Sequence, residues 1–329
     1  MKSSTLTKLI ILVLMILISV FCYIYYHSVV VLHPNTQNVL LGTPHFRVLG
    51  NIYGPDLKPL SRPLAVAVSD NSIYIADSGN SRVVQYSDKG KFVRSFGDTG
   101  NSNSKMLFPT DLAVSPNKGI YVADRMSGRV MVYNRAGDIE KTFPAGTDRL
   151  KLNGFSPLSL AIDKENNVFV FDAHHQRLVL FDENGKLLKV FTGTEAKAEL
   201  SFVNGIAISE QAEKIYISNS NKNKIMELNK NGVYLRDLPG LSHTSNSFLP
   251  RGIALDNTSG QLLITASFQH KILFYDLKTN EVVNTIGIVT DEDQAFKYPN
   301  DIAINEDKRR VYVTDTGHNR IVVLEYVYK

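Results

Sequence analysis

The chain contains one cysteine and no tryptophan. The lone thiol, Cys22, falls inside an apolar run, so the rest of the chain has no disulfide framework, no thiol nucleophile and no cysteine-based zinc site. A cysteine-free domain is compatible with an oxidising compartment without requiring one. An excess of either charge is also lacking. Lys and Arg number 36 against 32 Asp and Glu, a net +4. Lys2 and Lys8 precede the first apolar run, which leaves 34 basic against 32 acidic residues from position 27 onward, or +2. That balance argues against a nucleic-acid surface built on charge. No G-x-S-x-G, no H-E-x-x-H and no phosphate-binding loop occurs. What remains is 43% hydrophobic and 21% charged, a globular composition. A length of 329 residues suits one large β domain or two ordinary ones.

Leu9–Tyr26 runs for 18 residues without a charge, and Val29–Leu32 can extend it past His27 and Ser28. A helix of about 20 residues spans the ~30 Å hydrocarbon core of a bilayer. Lys2 and Lys8 precede the run, no Lys or Arg follows until Arg47, and Tyr23, Tyr25 and Tyr26 suit the far interface. The expectation is an uncleaved signal-anchor at 9–26, with residues 1–8 as a short cytoplasmic tail and 27–45 as a spacer. The remainder would then be extracytoplasmic. A cleaved signal peptide is the competing reading, but it wants small residues before the cut, where this chain has SVFCYIYYHS. A lipoprotein site at Cys22 would want a small residue where Phe21 stands.

Beyond the spacer, one phrase recurs six times. Ile73–Tyr86 reads IYIADSGNSRVVQY, and its counterparts begin at Ile120, Val168, Ile215, Leu262 and Val311, at spacings of 47, 48, 47, 47 and 49 residues. Each is two β-rich runs around a polar tip. A basic residue stands five positions after the tip's first residue: Asp77/Arg82, Asp124/Arg129, Asp172/Arg177, Asn219/Lys224, Ala266/Lys271 and Asp315/Arg320. A fixed period of this length marks a repeat architecture. A short apolar run precedes each phrase, with a recurrent alanine at 67, 113, 161, 207, 254 and 303. Small side chains there fit six innermost strands crowding around an axis. A fourth run such as KFVRSFG (91–97) follows after a Gly- or Asn-containing hairpin turn. Each repeat is therefore a four-stranded antiparallel meander. One meander cannot bury both faces, so the copies must stack radially. The last copy lacks its fourth run, and FRVLG at Phe46–Gly50 matches VRSFG at Val93–Gly97. The N-terminal strand is expected to complete the sixth blade and close the ring, removing open edges.

These repeats resemble NHL repeats, with the pattern P-x-x-[VIL]-A-[VIL] followed by I-Y-V-A-D-x-x-N-x-R-[VI]. Pro63–Val83 follows it closely, as PLAVAV and IYIADSGNSRV. Copies four and five depart, with Val203 for the proline and Asn219 and Ala266 for the aspartate. The resemblance covers about residues 46–329 and implies an all-β, six-bladed β-propeller of four-stranded blades. It does not imply one function, because propellers host many. The related peptide-amidating lyase carries zinc-binding histidines at the inner-strand starts. Here those positions hold Leu64, Thr110, Leu158, Asn204, Arg251 and Asn300, so that activity is not implied. RNA-binding NHL domains use a basic face. This loop face mixes Arg125, Arg149, Lys151, Arg251 and Lys271 with Asp98, Asp148, Glu195, Asp291 and Asp293.

The connections between repeats are long and emerge on the same side as the tips, so function is expected on that face. The tip pairs read best as structural, because six copies of one catalytic site make no chemical sense. Asp111, Asn204, Arg251, Asn300 and Asp301 form the expected ligand-binding mouth. Asp111, Asn204 and Asp301 could supply oxygens to an axial Ca²⁺, although such a site needs six or more. The competing expectation is that they cap inner strands and meet water. His174, His175, His270 and His318 lie on three tips and join the expected face, but zinc would need three or four of them to converge. The reading is a membrane-anchored propeller that binds a protein, peptide or glycan, requires no cofactor and does not bind nucleic acid. The alternative is a Ca²⁺-dependent hydrolase or lyase with an axial site.

Overall fold

The computed structural model describes residues 45–100, 104–191, 199–241, 248–287 and 295–327. The expected membrane segment lies outside them. Among the described residues no helix is long and apolar enough to cross a membrane. Six four-stranded antiparallel sheets account for the described strands. The first blade comprises Pro63–Ser69, Ser72–Asp77, Arg82–Ser87 and Phe92–Phe96, paired in that order from the axis outward. The next four blades repeat this meander. In the sixth, Pro299–Asn305, Arg310–Asp315 and Arg320–Val327 are followed by His45–Ile52 from the other end of the sequence. Phe46 stands opposite Tyr326 and Ile52 opposite Ile321.

The second and third strands are buried on both faces. Ile73, Tyr74, Ile75 and Ala76 are at most 3% exposed, as are Val83, Val84 and Tyr86. Neighbouring blades provide the cover, and each of the six blade interfaces has its own apolar cluster. The outermost strands alternate instead, with Val93 and Leu188 open to solvent. The recurrent alanines have a second reason besides axial crowding. Ala67, Ala113, Ala161, Ala207, Ala254 and Ala303 pair across strands with Tyr74, Tyr121, Phe169, Tyr216, Leu263 and Tyr312. Small residues inside and large ones outside give each blade the wedge shape that a ring requires.

Two local features shape the loop side. Every inner strand slips register directly after its first residue, between Pro63 and Ala65, for example, or between Val203 and Gly205. A bulge re-aims the side chain it releases. The residues so released are Leu64, Thr110, Leu158, Asn204, Arg251 and Asn300; in blades five and six the slip also takes in Gly252 and Asp301. Each tip closes on a left-handed residue four positions after its first: Ser81, Gly128, Gln176, Asn223, His270 and Asn319. One of the long connections carries structure of its own: Gly146–Lys151 forms a short helix that packs Leu152 into the cluster between blades two and three.

The N-terminal strand is tied in by aromatic packing. The Phe46 ring lies 4.7 Å from Phe274 and 4.6 Å from Tyr326 and is 1% exposed. Phe46→Ala is expected to cost about 3–5 kcal/mol, the usual range for emptying a buried phenylalanine site. A urea midpoint unchanged from the parent would show that this strand adds nothing to the ring.

Candidate binding face at the axial mouth

Each tip but the fifth begins with a polar side chain that ends a strand buried on both faces, where an unpaired carboxylate would be costly. Asp77 is fully buried. Its Oδ1 accepts the Ser61 N–H at 2.7 Å; its Oδ2 accepts Arg82 Nε at 2.7 Å and Asn80 Nδ2 at 2.8 Å. Asp315 accepts the Lys297 N–H at 2.6 Å and Arg320 Nε at 2.7 Å. Asp172 accepts the Ser156 N–H at 3.0 Å and Arg177 Nε at 3.1 Å.

The second blade corrects the expected pairing of Asp124 with Arg129. The two stand opposite each other in the strand register, yet no hydrogen bond or ion pair joins their side chains. Two backbone donors satisfy this carboxylate instead: the Leu107 N–H meets Oδ2 at 2.8 Å and the Phe108 N–H meets Oδ1 at 2.7 Å. Arg129 is half-buried. Asn219 keeps the acceptor without the charge, receiving the Ser201 N–H at 3.0 Å. Accordingly Lys224 turns away to Asp237. The tip residue thus ties the incoming connection to its own blade, with or without a cation behind it. Blade five, with Ala266, makes the tie through backbone alone, Ser267 N–H to Leu249 O at 3.3 Å.

The second tie crosses between blades and has no precedent in the repeat phrase. At four of the six blade boundaries the left-handed tip residue of one blade accepts the N–H that immediately precedes the next inner strand. Asn319 takes Arg62 at 2.7 Å, Gln176 takes Phe202 at 2.9 Å, Asn223 takes Leu249 at 2.7 Å and His270 Nδ1 takes Tyr298 at 3.1 Å. All four donors are themselves left-handed, with φ between 40° and 54°. Hydroxyls add further bridges, from Ser78 to Pro109 O, Ser220 to Pro250 O and Thr316 to Pro63 O.

The histidines are parts of this frame. His175 and His318 stand where Asn80 stands and place Nδ1 against the Asp172 and Asp315 carboxylates, at 2.7 and 2.9 Å. His270 is the left-handed residue of its tip. His174 meets His175 edge-on, with centroids 4.6 Å apart. Among the described residues no group of three His, Cys, Asp or Glu is placed to hold a metal.

The expected axial residues divide in two. Asp111 and Asp301 line a cavity of about 220 Å³ on the axis. Asp111 accepts the N–H of Leu112 and, across the blade boundary, that of Leu160, both at 2.7 Å. Asp301 accepts the Val66 N–H at 2.9 Å. Burial pushes both carboxyls up, Asp301 to about 7, and the Asp301 charge adds to the rise at Asp111. Asn204 does not join them; its amide donates to Phe202 O and Ser220 Oγ. Arg251 and Asn300 lie at the mouth. Arg251 Nη1 donates to Asn300 Oδ1 at 2.8 Å, and Asn300 Nδ2 donates to Leu64 O at 2.6 Å, a chain across three blades.

Around the mouth the pre-strand residues project outward. Arg62 lies over the Phe108 ring at 5.3 Å, and Arg125 lies over Phe202 at 5.8 Å. Phe268 and Tyr298 meet edge-on at 6.3 Å. Of the charges expected on this face, Lys151 pairs with Asp148 at 2.9 Å and Lys58 with Asp98 at 2.7 Å. Glu195, Asp291 and Asp293 lie outside the described residues. The repeat phrase makes the tip carboxylates legible, whereas Arg62, Phe202 and Tyr298 lie outside it. Their common signal is position, directly before the first residue of an inner strand.

The NHL repeat family model matches residues 60–86 and 296–324. Over 134 residues the chain is 31% identical to Protein brain tumor of Drosophila melanogaster, covering 40% of this chain and 12% of that protein. Over 97 residues it is 33% identical to peptidyl-glycine alpha-amidating monooxygenase A of Xenopus laevis, covering 26% of this chain and 10% of that one. The chain therefore matches about a tenth of the length of either relative. Among solved structures, a streptogramin B lyase superposes with a TM-score of 0.60 at 13% identity, covering 86% of this chain and 98% of that one. At that identity the likeness is one of fold.

Two expectations follow. Arg82→Ala would strand the Asp77 carboxylate in a site where the pair is 3% and 0% exposed, and breaking such a pair costs about 3–5 kcal/mol. Lys224→Ala, whose pair is 50% and 33% exposed, should cost under about 1 kcal/mol. Equal shifts in denaturation midpoint would refute the clamp. The second concerns pH. Asp301 has a raised folded pKa, so the native state holds a proton that the unfolded chain releases near pH 4. Stability should fall as pH rises from about 4 through about 7. Asp301→Asn keeps an acceptor for Val66 and should flatten that fall, melting higher than the parent at pH 8. An axial Ca²⁺ would hold both carboxylates ionised, so a slope erased by millimolar calcium would mark a metal site.

Proposed function

The chain is an NHL-repeat six-bladed β-propeller, and on that premise we propose that it is a non-catalytic scaffold that binds a protein, peptide or glycan through its tip face. The observation that carries the reading is a set of strongly exposed apolar side chains on that face, which includes the most exposed Met and Phe of the described residues. Met126 is 70% exposed, Leu150 79%, Phe268 55%, Leu107 49%, Tyr298 47% and Phe202 37%. Large apolar side chains left open to water on one face are the raw material of an interaction site. Aromatic and Met side chains with Arg among them are also the composition of interface centres.

The proposal includes the tether. Leu9–Tyr26 anchors the propeller to a membrane with the N-terminus cytoplasmic, and the tip face meets an extracytoplasmic neighbour. His45–Ile52 latches the ring shut where the tether enters it. An enzyme acting at the axis is the second reading, favoured by the Asp111–Asp301 pair; the calcium test above addresses it.

A photoreactive residue at Met126 or Phe268 should crosslink the full-length protein in its membrane to discrete partners. The same group at Leu188, on the outer rim, should not. Identical adduct patterns from rim and face would overturn the reading.

A further inference from the structure

We propose that the axial mouth is a receptor for a carboxylate, presented by an acidic residue of a peptide segment and seated on Arg251 with Arg62 and Arg125 around it. The inference rests on the binding role proposed above and names the chemistry of the ligand.

Three guanidiniums stand at the mouth, and among the described residues none has a carboxylate within ion-pair distance. In the frame around them, Arg82, Arg177, Arg320, Lys58 and Lys151 are each paired with an acid. Arg251 is the innermost. The bulge that opens its strand releases it, and Asn300, itself fixed to Leu64 O, holds one Nη at 2.8 Å. Part of the fork stays free. Burial and the neighbouring Arg62 charge push its pKa below the usual guanidinium range, the mark of a cation short of an anion. Arg62 and Arg125 are steadied by ring faces, contacts that orient a guanidinium and leave its edges open.

A second observation is independent of charge. The residues that build the rim, Arg62, Phe202, Leu249 and Tyr298, are all held left-handed by the inter-blade tie. None is glycine, and non-glycine residues in this conformation cost about 1–2 kcal/mol each. Repeated strain of this kind collects where a surface has work to do.

A carboxylate fits better than a phosphate chain. A guanidinium fork matches one carboxylate bidentately. A nucleic acid would need a continuous basic track, and the propeller's net charge is close to balance. Phe202, Phe268 and Tyr298 beside the cations suit apolar side chains flanking the acid in a peptide.

The test uses the full chain in detergent, a displayed library of random twelve-residue peptides and a uridine 20-mer. Selected peptides should carry Asp or Glu at one fixed position beside an apolar residue. Replacing that acid by its amide should weaken binding about tenfold or more, the expected response of a site built for a charged partner. Arg251→Gln should bind acid and amide forms alike, and Arg62→Gln, at an exposed position that cannot unfold the ring, should narrow the preference. Peptides selected without an acidic position, or an amide form bound as tightly as the acid, would overturn the carboxylate while leaving a peptide-binding face. No peptide selected, with Arg251-dependent retention of the uridine 20-mer, would overturn both.

Discussion

A four-stranded sheet that is apolar on both faces cannot stand alone in water. Here the two middle strands of every blade are buried on both sides, so each blade exists only between two others. The six interface clusters are the result. They are built by pairing a small residue near the axis with a large one behind it, as Ala67 is paired with Tyr74. Hydrophobic burial supplies the attraction, but it is indifferent to direction. The polar ties specify how far each blade is turned against the next.

Those ties sit at the tips. In five blades a tip side chain holds the incoming connection to its own blade, and at four of the six boundaries a left-handed residue from the preceding blade holds the same connection from the other side. Burial explains the substitutions among the repeats. Asp77, Asp172 and Asp315 are each neutralised by an arginine, whereas Asp124 is satisfied by two backbone N–H groups. Where the tip begins with Asn219, the acceptor remains and the lysine is free to leave. His175 and His318 take the part of Asn80, and His270 takes that of Asn319. Four histidines that could have suggested a metal are parts of a hydrogen-bonded frame.

Much of this was legible in the sequence. The period, the four runs per repeat and the tip pairs are local patterns, and local patterns survive in a single chain. The bulge residues were marked too, because a proline or its replacement precedes each one. Spacing alone is not enough for Arg129, which keeps the position of Arg82 but not its partner, while two backbone N–H groups of the incoming connection satisfy Asp124. The inter-blade tie was not legible. Asn223 and Leu249, or His270 and Tyr298, are joined only by the curvature of the ring, and no run of neighbouring letters records that. Asp111, Asp301 and Asn204 all stand at inner-strand starts, but the Asn204 amide turns to Ser220. A bulge releases a side chain; the local acceptors decide where it goes.

The inter-blade tie grips backbone N–H groups and ignores the side chains that those residues carry. Arginine, phenylalanine, leucine and tyrosine occupy four equivalent seats around one opening, with the same backbone shape in each. Those seats are addressable one at a time. A lineage could rewrite what the opening recognises, by single substitutions, without renegotiating the fold beneath it.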